Sequence, residues 1–176
     1  MDELFLIFEP ISRFAPGDLA EIVARSYAAL VESSPEVWGR EREKWEDFDR
    51  RAFASPDTVG RCVFVSRFGP EPVGLGSYDP RPGPVYGEIG QNCVLPEFRG
   101  RGFGSRQVRE ILGRFETLGI RTARVTTSGH PFFEPARRMY EGLGFREIRR
   151  FAGGPDPGYP LIELARELDR PSELDR

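Results

Sequence analysis

Val94-Leu95-Pro96-Glu97-Phe98-Arg99-Gly100-Arg101-Gly102-Phe103-Gly104-Ser105-Arg106-Gln107-Val108-Arg109 is the stretch on which the reading of this chain turns. An apolar run ends in it, a glycine-dense turn follows, and an amphipathic helix begins at once. Gly100, Gly102 and Gly104 permit positive φ and let a ligand come close to the backbone. The N–H groups of such a turn, and of the first helical turn behind it, point outward. Together with the helix dipole they form an anion site. Arg99, Arg101 and Arg106 add charge and forked donors suited to phosphate oxygens. The local chemistry is phosphate binding.

Two common phosphate loops do not fit. A Walker loop needs a lysine that this stretch lacks. A GxGxxG fingerprint started at Gly100 ends on Ser105, and started at Gly102 it ends on Gln107. The spacing that does fit is Arg-x-x-Gly-x-Gly, on Arg99, Gly102 and Gly104.

Downstream, Val108, Ile111, Leu112, Phe115 and Leu118 recur at helical spacing up to a stop at Gly119. Arg121–Thr127 reads as a strand, Pro131–Leu143 as a helix, and Phe145–Phe151 and Pro160–Glu167 as strands joined through Pro155–Gly158. Upstream, Val73–Tyr78 and Val85–Leu95 read as a strand pair. Between them Asp79–Pro84 is too rich in proline for helix or central strand. Arg61–Phe68 and Leu4–Phe8 are further strands. Pro16-Gly17-Asp18 opens a helix carrying Leu19, Ile22, Val23, Ser26 and Tyr27 on one side. A second helix is predicted from Ser34-Pro35, with Ser34 as cap and Pro35 in the first position. Its face of Trp38, Trp45, Phe48 and Ala52 is opposed by a charged face from Arg40 to Arg51, which is either a solvated surface or a wall of an acceptor pocket. The resulting order, β-α-α-β-β-β-α-β-α-β-β, is a mixed sheet with helices on its faces.

Composition narrows the function. At 176 residues with 39% hydrophobic residues, one core can be buried without staples. A net charge of −3 disfavours a globally basic nucleic-acid binder and leaves only the local patch at 99–109. His130 is the single histidine and neither Cys62 nor Cys93 sits in a CxxC pair, so no zinc site of ordinary spacing can be built. Both cysteines read as buried free thiols, which fits a reducing cytoplasm. No run reaches the ~20 apolar residues of a membrane span.

The loop and its Pro96-Glu97-Phe98-Arg99-Gly100 lead resemble the pyrophosphate loop of the GNAT superfamily of N-acyltransferases. Ala136-Arg137-Arg138-Met139-Tyr140-Glu141-Gly142-Leu143-Gly144-Phe145 is similar to that family's second signature, a helix running into a strand. The likeness covers Leu75–Phe151; residues 1–60 match in pattern only. It implies a GNAT-like α/β (α+β) fold, a mixed and mostly antiparallel sheet of about seven strands flanked by about four helices. It also implies a single acyltransferase domain over 1–168, with a polar tail at 169–176.

The activity so implied is N-acetyl (acyl) transfer from acetyl-CoA to a primary amine, by direct attack in a ternary complex and without a metal. The acceptor is open, and so is a homodimer. No nucleic acid or membrane partner is implied. Cys93, Val94, Leu95, Arg99, Gly100, Arg101, Gly102, Phe103, Gly104 and Ser105 would hold the cofactor, with main-chain N–H groups at Cys93–Leu95 facing the developing oxyanion. Tyr140 would protonate the departing thiolate; on the residues alone it reads first as a packed core tyrosine, and its pairing with the loop favours the functional role. Phe133 stands where the family often has an asparagine on the pantetheine arm. Arg137 or Arg138 would reach the 3′-phosphate.

Attack on a thioester needs a neutral amine, so a positioned carboxylate is expected. Glu88 matches the strand glutamate used as base in some protein-acetylating members of the family. The alternative is an exposed or salt-bridged strand carboxylate. Regular alternation would place Glu88, Asn92 and Val94 on one face, and a bulge would shift this. His130 stands as base, acceptor contact or structural loop residue. Two rival readings remain: a non-catalytic acyl-CoA sensor, and nucleic-acid recognition through the basic loop.

Overall fold

A computed structural model describes residues 5–168; the predicted polar tail at 169–176 and Leu4 of the first predicted strand lie outside the described residues. The elements are β1 (Leu6–Pro10), α1 (Asp18–Ser26), α2 (Ala28–Ser33), α3 (Pro35–Trp38), α4 (Glu41–Ala54), β2 (Val63–Phe68), β3 (Glu71–Asp79), β4 (Gly87–Val94), α5 (Phe103–Thr117), β5 (Thr122–Ser128), α6 (Glu134–Gly142), β6 (Arg146–Phe151) and β7 (Leu161–Glu167). They form one seven-stranded sheet of order β1-β2-β3-β4-β5-β7-β6. β4 and β5 run parallel. The β1–β2, β2–β3, β5–β7 and β7–β6 pairs are antiparallel. The expected mixed, mostly antiparallel sheet is therefore present.

The predicted helix from Ser34 is divided. α3 ends at Trp38 and α4 starts at Glu41. Gly39, a poor helix former, stands at the break, and a Cβ there would lie 2.4 Å from the Pro35 carbonyl oxygen. Ser34 caps only through its main chain, its carbonyl accepting from Trp38 N–H at 2.9 Å. α2 is an addition to the expected order.

The chain divides into two compact units, Met1–Ser77 with Gln91–Gln107 and Tyr78–Gly90 with Val108–Arg176. In the first, Leu19, Ile22 and Val23 of α1 and Trp45 and Ala52 of α4 share a core with Val63, Val65, Leu75, Cys93 and Leu95. Tyr27 stacks on Trp45 at 5.5 Å. The N-terminus of α1 is capped from α4. Gly17, at φ +102, supplies no side chain, and the buried Asp49 carboxylate accepts from the N–H groups of Gly17, Leu19 and Ala20 at 2.9, 3.1 and 3.2 Å.

In the second unit, Phe115 of α5 lies over Gly87, where a Cβ would sit 2.7 Å from the ring, and Tyr78 meets Phe115 edge-on at 5.5 Å. Ile89, Ala123, Val125, Ile162 and Leu164 are buried. Cys93 is buried as expected; Cys62 is only partly so, because it closes a 3-10 turn at the mouth of β2.

Candidate functional site

β4 ends as Leu95 donates its N–H to the Val73 carbonyl at 2.8 Å. A 3-10 turn over Pro96–Phe98 follows, then Gly100 at φ +73 and Gly102 at φ +78. Both glycines occupy conformations that side chains with a Cβ avoid, and both have open space where a Cβ would stand. The first intrahelical bond of α5 runs from Arg106 N–H to Gly102 O at 3.1 Å. The amides of Phe103, Gly104 and Ser105 therefore precede the helical ladder at the positive end of the dipole. Gly104 differs from expectation. It lies inside α5 and is not among the positive-φ glycines, because the helix begins one residue before it.

The arginines of the loop divide their work. Arg99 is turned onto protein carbonyls, its Nε donating to Val94 O at 3.1 Å and its Nη2 to Ser26 O in a short contact. It ties the loop to the end of β4 and to α1. Glu97 adds a second tie to α1 through Arg25 at 2.7 Å. The Arg101 guanidinium sits 5.0, 5.7 and 5.1 Å from the ring centres of Phe68, Phe98 and Phe103. Arg106 is exposed on the first turn of α5.

Gln107 was not singled out by sequence. Fully buried, it donates through Nε2 to Asn92 Oδ1 at 2.6 Å and to the carbonyls of Leu75 and Cys93, both at 3.2 Å. The available signal was a polar residue one turn before Ile111, on the helix's apolar stripe. The Asn92–Gln107 bond also corrects the expected face. Gly87 faces Phe115 and Asn92 faces Gln107, both on α5, although strict alternation would put residues 87 and 92 on opposite sides. Alternation breaks between them, so Glu88 and Asn92 do not share a face. The Cys93 side chain instead joins the core of α1 and α4. Burial pushes its thiol well up from the ordinary range, and a hydrogen bond with the Ser26 hydroxyl draws it partly back. The Leu95 amide is spent on the Val73 carbonyl, which removes it from the oxyanion donors expected at Cys93–Leu95.

The second unit holds the remaining candidates. Glu88 is exposed on β4. Tyr140 is 4% exposed on α6 and meets Phe145 edge-on at 5.4 Å. Phe133 closes a 3-10 turn before α6 and contacts Phe132 at 5.2 Å. Arg137 donates through Nη1 to the carbonyls of Ser128 and His130 at 2.6 and 3.2 Å, which fixes the β5–α6 loop, while Arg138 pairs with Glu134. The His130 Nδ1 accepts from Phe132 N–H at 3.1 Å and its ring meets Tyr159 at 4.8 Å. Among the described residues no group of three or more His, Cys, Asp and Glu is placed to hold a metal ion, and no helix is long and apolar enough to cross a membrane.

The fold is a mixed α/β sheet whose fourth strand passes through a positive-φ glycine turn into a helix. Comparison narrows the class. The model of the acetyltransferase (GNAT) family matches residues 23–145, and the chain belongs to that family. No curated protein matches it in sequence.

Several solved structures share the fold. A candidate GNAT-family acetyltransferase from Desulfovibrio desulfuricans superimposes with a TM-score of 0.70 at 20% identity, over 93% of this chain and 98% of its own. YncA, a candidate acetyltransferase of Salmonella typhimurium solved with its cofactor acetyl-CoA, gives 0.69 at 16%, over 99% of each chain. An aminoglycoside 6'-N-acetyltransferase complexed with coenzyme A gives 0.66 at 17%, over 94% of this chain and 99% of its own. At these identities the likeness is one of fold.

Proposed function

We propose that the chain is a single-domain N-acetyltransferase that uses acetyl-CoA to acetylate a primary amine in a ternary complex. The observation that carries the reading is the turn at Gly100 and Gly102, with open space over both α-carbons and helix-leading amides directly behind it. That geometry suits a diphosphate held by main-chain N–H groups. Membership of the GNAT family supports it. The fold shared with proteins solved with acetyl-CoA or coenzyme A is consistent with it. Arg106 supplies charge to the phosphates, and Phe133 packs on the pantetheine arm. Arg99 and Arg101 act chiefly by fixing the loop, one on carbonyls and one on aromatic rings.

Bound acetyl-CoA supplies an activated acetyl thioester. As the amine nitrogen bonds the acetyl carbon and the C–S bond breaks, Glu88 takes the proton that the nitrogen loses. The Tyr140 hydroxyl gives a proton to the departing sulfur. The main-chain amides of Cys93 and Val94 steady the carbonyl oxygen.

The test has two stages. Acetyl-CoA should raise the melting temperature; at a hundred times Kd the gain is ~2.7 kcal/mol. With an amine panel and thiol release as readout, Tyr140→Phe should lower turnover by about ten- to several-hundred-fold, and Glu88→Gln should lower kcat/KM by about 10²–10⁴-fold. Failure of coenzyme A to stabilise the protein sinks the reading. Unchanged turnover in both variants sinks the residue roles.

A further inference from the structure

A second charged cluster lies wholly within the unit that carries Glu88. Strand register fixes which side chains share a face. Glu88 of β4 is the partner of Arg124 on β5. Across the next ladder Thr126 is the partner of Glu163, and Glu163 in turn is the partner of Arg149. Their neighbours Ile89, Val125 and Leu164 point the other way and are buried. On the first face Glu88 and Thr126 are exposed.

Glu163 shares that face, yet it is only 6% exposed because two guanidinium groups cover it. Arg149 donates to Oε2 through Nε and Nη2 at 2.9 and 2.8 Å, and Arg124 Nη1 stands 3.5 Å from Oε1. Rings back both arginines, Tyr86 at 4.1 Å from Arg124 and Phe151 at 4.4 Å from Arg149. One carboxylate between two guanidiniums leaves one positive charge in excess. Nε of Arg124 has no hydrogen-bond partner among the described residues.

One strand away, no hydrogen bond or ion pair among the described residues engages the Glu88 carboxylate. Its register partner is an arginine, and the two do not pair. Glu163 engages Arg124 from β7 instead, and the ring of Tyr86, the residue before β4, backs its guanidinium. A cross-strand network built for stability alone explains Glu163, but it leaves Glu88 uncompensated beside a cation. The face thus presents an open negative group and a positive excess on neighbouring strands, whose backbones run about 5 Å apart.

We propose that this face is the acceptor subsite, and that the acceptor is a small amine bearing a carboxylate close to its amino group, as in an amino acid. The amino group lies at Glu88 and the carboxylate at Arg124. Glu163 is a positioning residue that holds Arg124 clear of Glu88, and Arg149 closes the far side of the pair. The inference rests on the reading of Glu88 as the base.

The test compares free α-amino acids with their α-amides and with the matching decarboxylated amines, using acetyl-CoA and thiol release. The free acids should be favoured in kcat/KM by ~10–100-fold, the scale of a hydrogen bond to a charged group. Arg124→Gln should bring the acid-to-amide ratio toward one. Arg149→Gln, at an exposed edge strand, should lower the same ratio and guards against a misfolded Arg124 variant. A second readout is melting of the coenzyme A-saturated protein, which the acids should raise and the amides should not. Amides turned over as well as acids would overturn this proposal while leaving acetyl transfer intact. Failure of the acids in both readouts would overturn it too. A protein that coenzyme A does not stabilise would instead remove the underlying reading.

Discussion

Gly102→Ala separates backbone strain from ligand exclusion. Gly102 has φ +78 and nothing within 4 Å of the position a Cβ would take. The methyl group therefore meets no protein atom, and its folding cost is the left-handed strain alone, ~1–2 kcal/mol. For a chain of this size that corresponds to roughly 2–8 °C in Tm. The chain contains its own control. Gly119, beyond the C-terminal end of α5, has φ +70 and the same open surroundings, so Gly119→Ala should lose the same stability. The two should differ only in cofactor binding. A methyl group over Gly102 stands where a diphosphate would approach the loop amides, and loss of one charge-assisted hydrogen bond weakens binding by ~10–100-fold. Urea denaturation gives the stability of each variant, and titration calorimetry with coenzyme A gives Kd. Wild-type affinity in Gly102→Ala, or equal loss in both variants, would refute the claim that this turn holds the diphosphate.

Other consequences can be measured directly. Asp49→Ala strips the amides of Gly17, Leu19 and Ala20 of their acceptor and should cost ~2–3 kcal/mol in urea denaturation, while Asp49→Asn, which keeps one acceptor oxygen, should cost less. Cys93 is buried with its thiol raised above the ordinary 9.0, so the native state holds that proton more tightly than the unfolded chain. Its contribution is full below pH 9.0 and falls as pH rises through the folded value, and Cys93→Ala should flatten this alkaline loss of stability. With a thiol reagent at neutral pH, Cys62 should react before Cys93, and simultaneous reaction of both would contradict the burial described.

Sequence-legible features of this fold are those set by near neighbours along the chain. The apolar stripe of α5 was readable because Val108, Ile111, Leu112 and Phe115 repeat at the helical period, and all four are buried. The turn was readable because only glycine occupies positive φ cheaply, and Gly100 and Gly102 do so. What long-range contacts decide was not readable. The cap of α1 comes from Asp49, a residue that reads as one more charge on a charged helix face. Arg99 carries the family spacing and looks like a phosphate donor, but the carbonyls of Ser26 and Val94 claim it. Glu163 lies in an apolar strand pattern, and only the register of β5, β7 and β6 brings Arg124 and Arg149 over it.

Gln107 shows how a misfit in a pattern can be read. A helix that buries one stripe should carry apolar residues along it, and a glutamine there must find partners or lose roughly 1–3 kcal/mol per unsatisfied group. Its Nε2 finds partners in Asn92 Oδ1 and the carbonyls of Leu75 and Cys93, while its Oε1 has none among the described residues. They cluster where β4 loses its alternation, and a strand that changes parity leaves acceptors that regular pairing would have met. The amide on the helix supplies the donor that the ladder lacks. Gly74 belongs to the same compensation, since a Cβ on it would stand 2.2 Å from Cys93 O and 2.9 Å from Gln107 Oε1. The irregular strand, the buried amide and the missing side chain therefore form one device. It fixes the end of β4 from which the glycine loop departs, so the loop's geometry depends on residues that carry no phosphate-binding chemistry of their own.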